Sequence, residues 1–310
     1  MTTRLAAVAG VERDVSLSPL TSYRIGGAAA WFVEVLDDEH LEAVIRSVPQ
    51  DLSVLVLGKG SNLLVSDSGF SGLVIRLGGA FLDVSVGSDG SVRGGGAAPL
   101  PRLARASAEA GRCGLEFYAG IPGTVGGAVM MNAGGHGSDT AQHLIYATVI
   151  DRLSGERSEH SAADLELAYR HSNLGPDQIV TSASFATSAC SRAEAEGRIR
   201  EITRWRKEHQ PGGTFNAGSV FKNPEGDAAG RLIDEAGLKG FRRGGVAVSE
   251  IHANFFAADE DATAQDVWDL VWAVRRRVGA STGVWLVPEI RFVGAFDQRG
   301  DEATEPETVE

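Results

Sequence analysis

Between Trp31 and Gly96 the apolar positions fall in short runs separated by turn-forming residues. WFVEVL (31–36), SVLVLG (53–58), GLVIRLGG (72–79), FLDVSVG (81–87) and SVRGGG (91–96) each read as a strand closed by Gly, Asp or Ser. One helix interrupts them, from Asp37 through Val48, with Asp37 as its cap. From Pro99 to Ala110 the spacing changes to that of a helix. Leu100, Leu103, Ala104, Ser107 and Ala108 share one face, proline stands near the start, and Gly111 lies just past the end.

The stretch 120–137, GIPGTVGGAVMMNAGGHG, is seven-eighteenths glycine, yet Ile121, Val125, Val129 and Met130 are interleaved. A flexible linker would be polar, so this predicts an ordered, backbone-rich loop containing a short helix. LIYATVIDRLSGERSEH (144–160) then predicts a hairpin turning at Ser154–Gly155, followed by the strand QIVTSASFAT (178–187). A helix rich in Arg and Glu follows over 193–209 and reads as the start of a new unit. Beyond it come a strand at GSVFK (218–222), a helix over 227–236 ended by Gly237, and a strand at 246–248. A longer helix over 263–278 faces Ala264, Val267, Trp268, Val271 and Val274 inward, with Thr263 and Asp266 as a capping pair. Strands at VWLV (284–287) and IRFVG (290–294) close the fold. The class is α+β. The division expected is an N-terminal segment 1–18 and a first domain 19–190, itself in two parts at about 19–85 and 86–190. A second domain follows over 191–295, and 296–310 reads as an acidic, disordered tail.

Composition alters this picture only by exclusion. The chain has 310 residues, of which 43% are hydrophobic and 23% charged, so it is neither a disordered nor a fibrous sequence. With 29 Lys and Arg against 41 Asp and Glu, a net charge of −12 argues against a nucleic-acid partner. No run of eighteen uncharged apolar residues is present for membrane insertion, and no export signal is visible, so the expected compartment is the cytoplasm. Two cysteines, Cys113 and Cys190, form no CxxC, which suits a reducing compartment and predicts neither a disulfide scaffold nor a zinc knuckle. The histidines are scattered and no HExxH occurs, so no metal is expected. The oligomeric expectation is a monomer.

GKGSNLLV (58–65) follows an apolar strand and offers successive backbone N–H groups with the donors of Ser61 and Asn62. It fits neither the P-loop nor GxGxxG, and alone it reads equally well as a tight turn between strands. A second glycine-rich stretch at 120–137 makes a ligand with two phosphates the better reading, because glycine lets backbone approach an extended cofactor closely.

Seven segments carry a resemblance: TSYRIGG (21–27), LGKGSNLLV (57–65), AGIPGTVGGAVMMNAGGHG (119–137), AYRHS (168–172), AGSVFKNP (217–224), LIDEAGLKG (232–240) and PEIRFVG (288–294). In order and spacing they resemble the UDP-N-acetylenolpyruvoylglucosamine reductase family over about residues 15 to 295. The resemblance implies a vanillyl-alcohol-oxidase-like (PCMH-type) FAD-binding fold of two α+β subdomains with a C-terminal α+β substrate domain. It implies tightly bound FAD, NADPH as hydride donor, and UDP-N-acetylglucosamine enolpyruvate as the small-molecule substrate, in peptidoglycan precursor synthesis. FAD would lie against Gly58, Lys59, Gly60, Ser61 and Asn62, with Gly120, Ile121, Pro122, Gly123, Thr124, Gly126 and Gly127. Hydride would pass from flavin N5 to C3 of the enolpyruvyl ether.

The same resemblance implies Ser219 as the proton donor to C2, with Arg170 and Glu289 stabilising the enolate. A hydroxyl suffices because the acceptor is a strongly basic carbon. Glu289 helps only if its own charge does not oppose the enolate, so it is expected to be protonated or to share a proton at that step. Tyr169, Lys222, Asn223, His252 and Asn254 match substrate contacts. Two departures are visible: Gly135–His136 stands where many relatives have Ala-Tyr, and the 49-residue interval from Arg170 to Ser219 is short. The short interval implies the type II branch, without a tyrosine lid. Two rivals are an FAD-linked alcohol or sugar oxidase, against which the Ser219, Arg170 and Glu289 set stands, and a catalytically silent flavin- or nucleotide-sugar-binding module.

Overall fold

In the computed structural model, residues 5–298 are described. The chain divides into two units. Of the described residues, the first holds 5–15, 29–61 and 71–209; the second holds 16–28, 62–70 and 210–298.

In the first unit a four-stranded sheet runs in the order Val11–Ser16, Ala28–Val35, Phe70–Leu77, Val54–Val56, the last two parallel. Helix α1 (Asp38–Ser47) covers it. The Asp37 carboxylate accepts the His40 N–H at 2.8 Å, and Leu41, Val44 and Ile45 are buried with Val33, Val35, Leu73 and Ile75. An antiparallel five-stranded sheet follows, in the order Arg157–His160, Leu144–Asp151, Gln178–Phe185, Val92–Gly95, Val84–Val86. Its apolar face is covered by helix α2 (Leu100–Glu109), which buries the five residues its spacing predicts, and by the short helix α3 (Val125–Met130). Ile150 and Ile179 of this sheet join the core under the first one, so the two expected subdomains share packing.

Helix α4 (Arg192–His209) belongs to this unit, not to the second as its sequence position predicts. Ala195 is buried beside Ala108 and Cys113, and Ile199 packs against both the α2 core and this small cluster. The boundary therefore lies after His209 rather than after Cys190. The cysteine expectation is also corrected: Cys113 and Cys190, 77 residues apart, form a disulfide. Antiparallel pairing of Ser188 with Cys113, and the Cys190 N–H donating to Gly111 O at 2.9 Å, bring the sulfurs together. No local spacing rule could show this, because the two strand ends meet only in the folded chain. The N-terminal segment is not separate either, since Val11–Ser16 is an edge strand of the first sheet.

The second unit contains helices α5 (Ala229–Glu235) and α6 (Ala264–Thr282), with a three-stranded antiparallel sheet of Arg242–Arg243, Val246–Val248 and Phe256–Ala258. Thr263 and Asp266 form the expected capping box, and Gly283 ends α6 at a φ of +76°. Leu63–Val65, unmarked as a strand in the sequence reading, pairs in parallel with Arg291–Val293. Tyr23, Ile25 and Leu64 enter the core around Phe221, Phe256, Val271 and Leu286, which is why 16–28 and 62–70 go with this unit. GSVFK and VWLV make no regular ladder; among the described residues Ser219 bridges Phe255 and Phe221 bridges Pro288, as isolated pairs. The tail expectation fails at its first residue. Phe296 stacks on Trp268 at 4.7 Å, and Asp297 exchanges two hydrogen bonds with Gln265 at 3.0 Å each. The rest of that segment beyond Gln298 lies outside the described residues. Among the described residues no helix is long and apolar enough to cross a membrane.

Candidate active site

In the first unit the two glycine-rich stretches meet. The loop after Val54–Val56 brings Gly58 against Thr124, so that a Cβ on Gly58 would lie 2.7 Å from the Thr124 hydroxyl oxygen. Thr124 caps α3 by accepting the Gly127 N–H at 3.3 Å. Above Gly127 a Cβ would meet nothing but that same hydroxyl, at 3.5 Å. Gly58, Lys59, Pro122 and Gly127 are exposed, and Ile121, Gly123 and Gly126 are half-buried, while Gly60 and Thr124 are buried. The result is a surface built of backbone, which an added methyl group would fill. The N–H groups of Val125 and Gly126 donate to Ala98 O and Gly96 O at 3.0 and 2.8 Å. With the Gly127 N–H on Thr124, these three donors hold the loop in shape, leaving close approach as the part that glycine contributes to a ligand.

Tyr169 and Arg170 occupy the tip of a tight turn. Ala168 and His171 exchange backbone bonds of 3.2 and 3.1 Å, and Arg170 takes a left-handed φ of +54°. That conformation costs a non-glycine residue about 1–2 kcal/mol, which the flanking bonds must offset. Asn132, unremarked in the sequence reading, supplies one of them. It is 2% exposed, donates from Nδ2 to Ala168 O at 2.9 Å and accepts the Ala141 N–H at 2.9 Å. Its own φ of +38° is one that Asn tolerates, and this was the available signal within NAGG. The Arg170 guanidinium lies 5.1 Å from the Tyr169 ring centre and donates to Gly134 O at 3.1 Å. The turn is thereby fastened to the second glycine-rich stretch.

In the second unit Ser219 and Glu289 sit on adjacent segments. The Glu289 N–H donates to Val220 O at 2.7 Å, and the Val220 N–H donates to Asn254 O at 2.8 Å. Asn62 fixes the other side of Glu289, donating from Nδ2 to its carbonyl at 3.1 Å and accepting the Arg291 N–H at 2.9 Å. Lys222 is half-buried, its N–H on Val287 O at 2.8 Å. Asn223 accepts the Ala229 N–H at 3.0 Å, at the start of α5. Asn254, expected as a substrate contact, is instead 2% exposed, with both ends of its amide on the Phe221 backbone. His252 accepts the Asn254 N–H at 3.3 Å through Nδ1 and packs on Phe255 at 4.7 Å.

Burial holds the His252 imidazole below its ordinary value of 6.5, and the Lys239 charge adds to the effect. A histidine that is harder to protonate when folded takes up more protons in the unfolded chain below pH 6.5. Stability is therefore full above that pH and falls as acid drives the unfolded chain to protonate. Chemical denaturation across this window should show the loss, and His252→Gln should flatten it; an unchanged slope would remove His252 as the cause.

The first unit carries a backbone-lined loop pair, and the second carries a hydroxyl and a carboxyl on neighbouring segments. Residues 29–159 match the FAD binding domain family, and 210–293 match the family described as UDP-N-acetylenolpyruvoylglucosamine reductase, C-terminal domain. The chain is 43% identical over 299 residues to the UDP-N-acetylenolpyruvoylglucosamine reductase of Parvibaculum lavamentivorans, covering 96% of each. It is 46% identical over 287 residues to UDP-N-acetylenolpyruvoylglucosamine reductase 2 of Symbiobacterium thermophilum, covering 92% of each. The crystal structure of the Thermus caldophilus reductase superposes with a TM-score of 0.80 at 38% identity, over 92% of this chain and 99% of that one. The fold is an FAD-binding α+β fold and the protein is an FAD-dependent oxidoreductase. It belongs to the UDP-N-acetylenolpyruvoylglucosamine reductase family.

FAD fits what the first unit presents: solvent-exposed glycines at Gly58, packed on Thr124, and Gly127, with room above it, beside a capped loop. Gly58→Ala should force the Thr124 side chain aside, at an overpacking cost of about 1–3 kcal/mol. FAD affinity should fall by about 10-fold to 100-fold, read by fluorescence titration of the apoprotein. Undiminished affinity would separate this contact from the cofactor.

Proposed function

We propose that the protein reduces UDP-N-acetylglucosamine enolpyruvate to UDP-N-acetylmuramate with NADPH, in cytoplasmic peptidoglycan precursor synthesis. The observation that carries the reading is the stitching of the Ser219 and Glu289 segments through Val220, in a chain of this family. FAD, when bound at the glycine loops, supplies hydride transfer from NADPH to C3 of the enolpyruvyl group. This chain's residues supply the rest. Ser219 donates the proton to C2, a step within reach of a weak acid held in line.

Arg170 neutralises the enolate oxygen, and its bond to Gly134 with the closed turn at 168–171 sets its guanidinium in advance. Glu289 acts as a neutral donor to the same charge, so Glu289→Gln should retain far more activity than Glu289→Ala. Lys222 and Asn223 hold the diphosphate-linked sugar. Asn223 does so from the start of α5, where its Oδ1 is already engaged. His252 is assigned a substrate contact and is neutral near pH 7, so it acts by hydrogen bonding rather than charge.

The test is to purify the protein, record its visible spectrum and follow NADPH oxidation at about 340 nm with and without the enolpyruvyl substrate. A yellow protein whose NADPH consumption requires that substrate supports the reading. NADPH consumed only with oxygen would transfer the assignment to an FAD-linked oxidase, and a colourless protein without turnover would transfer it to a binding module.

A further inference from the structure

The segment that carries Ser219 makes no regular ladder: among the described residues its strand-like pairings are two isolated bridges, to Phe255 and Pro288. Backbone bonds reach it at Val220 and Lys222, and between them the Phe221 N–H and C=O need partners of their own. Asn254 replaces the missing ladder with a side chain. Its Oδ1 accepts the Phe221 N–H at 2.9 Å, its Nδ2 donates to Phe221 O at 2.8 Å, and its own carbonyl accepts the Val220 N–H at 2.8 Å. The side chain thus makes the two bonds that a facing strand residue would make in an antiparallel pair. Val220, held on one side by Asn254, accepts the Glu289 N–H on the other at 2.7 Å. The buried amide thus clamps Phe221, next to the Val220 peptide that bonds to Glu289.

We infer that Asn254 is a positioning residue for proton delivery by Ser219, acting through the Val220–Phe221 backbone rather than through contact with substrate. The inference rests on the reading of Ser219 as proton donor. Its chemistry is specific to Asn. Aspartate as the anion accepts but does not donate, and would leave Phe221 O without its partner; the neutral acid has one O–H donor and one acceptor, and restores the pattern. Alanine offers neither. A displacement of about 1 Å in such a support can cost about 100-fold in rate.

The experiment uses the FAD-loaded parent, Asn254→Asp, Asn254→Ala and Ser219→Ala, each assayed for FAD content and thermal midpoint. Flavin is reduced by NADPH in one syringe and reoxidised by UDP-N-acetylglucosamine enolpyruvate in a single turnover, in H2O and in D2O. The expected result for both Asn254 variants is NADPH reduction within about twofold of the parent. Formation of UDP-N-acetylmuramate in that turnover, read by rapid quench, slows by about 100-fold, with a larger solvent isotope effect. In Asn254→Asp that loss shrinks on acidification, as the carboxyl takes up its proton. The titratable groups on the bonded segments are Lys222, His252 and Glu289, so the parent is measured over the same pH range and its own trend is divided out.

A rate that falls only in step with FAD content, with an unchanged isotope effect and no acid recovery, overturns the inference in favour of a purely structural role. So does loss of FAD from both variants at every pH. If Ser219→Ala forms UDP-N-acetylmuramate in that turnover as fast as the parent, the proton-donor reading itself fails. If Ser219→Ala is slow while the Asn254 variants are not, only the positioning role fails.

Discussion

Ser219→Ala should lower the substrate-dependent turnover by about 100-fold to 10,000-fold, the span a positioned general acid supplies. FAD content and the rate of reduction by NADPH should be unchanged. The substitution is a clean one. Ser219 is half-buried and no ladder depends on its hydroxyl, while the segment is held through Val220, Phe221 and Lys222, whose backbone bonds to Glu289, Asn254 and Val287 remain. What disappears is a single O–H. A proton must still reach C2, so residual turnover would come from water and should carry a different pH dependence. Rapid-quench product analysis of one turnover decides it: a variant within threefold of the parent would strike Ser219 from the reaction.

Phe256→Ala should cost the protein about 3–5 kcal/mol of stability. Phe256 is 0% exposed, on the strand that pairs with Val246–Val248, and meets Phe221 edge-on with ring centres 6.0 Å apart and planes at 76°. Phe221 is itself 0% exposed, and its backbone is the one that Asn254 grips. Removing the ring leaves a cavity under the peptide that carries Ser219, so two losses are expected. The midpoint of denaturation of the second unit falls, and turnover falls with it even where the protein is still folded. Equilibrium denaturation followed by tryptophan fluorescence reads the first, and turnover per bound FAD reads the second. A cost below about 1 kcal/mol would mean that this part of the core closes up around the gap.

Much of the fold was legible because its signals are local. The caps at Asp37 and Thr263 and the buried face of α2 each depend on residues within a turn of one another. What was not legible depends on partners remote in the chain. Leu63–Val65 becomes a strand only because Arg291–Val293 lies beside it, and α4 belongs with the first unit because Ala195 and Ile199 find their packing there. The charged face of α4 gave no hint of which neighbour would take its few apolar residues.

The site divides in the same way. The glycine stretches stood out in composition, while Ser219, Arg170 and Glu289 were marked only by the resemblance of their segments to the family. Asn254 and Asn132 were misjudged or passed over. Seen in sequence, an asparagine ahead of two phenylalanines or beside glycines is a polar residue of unknown partner. Only the folded chain shows that the first amide closes on Phe221 and the second on Ala168 and Ala141. Both act by shaping backbone on which another residue performs, and backbone shape over such distances leaves no pattern in a single sequence.

The bond between Cys113 and Cys190 turns the chain between them into a covalent ring. Within that ring lie the second glycine-rich stretch at 120–137, the Arg170 turn and the two long strands Leu144–Asp151 and Gln178–Phe185. A protease that cuts once anywhere inside it opens the loop without releasing either piece. The cut ends stay tethered through sulfur, and two fragments separate on a gel only after a thiol reductant has broken the link.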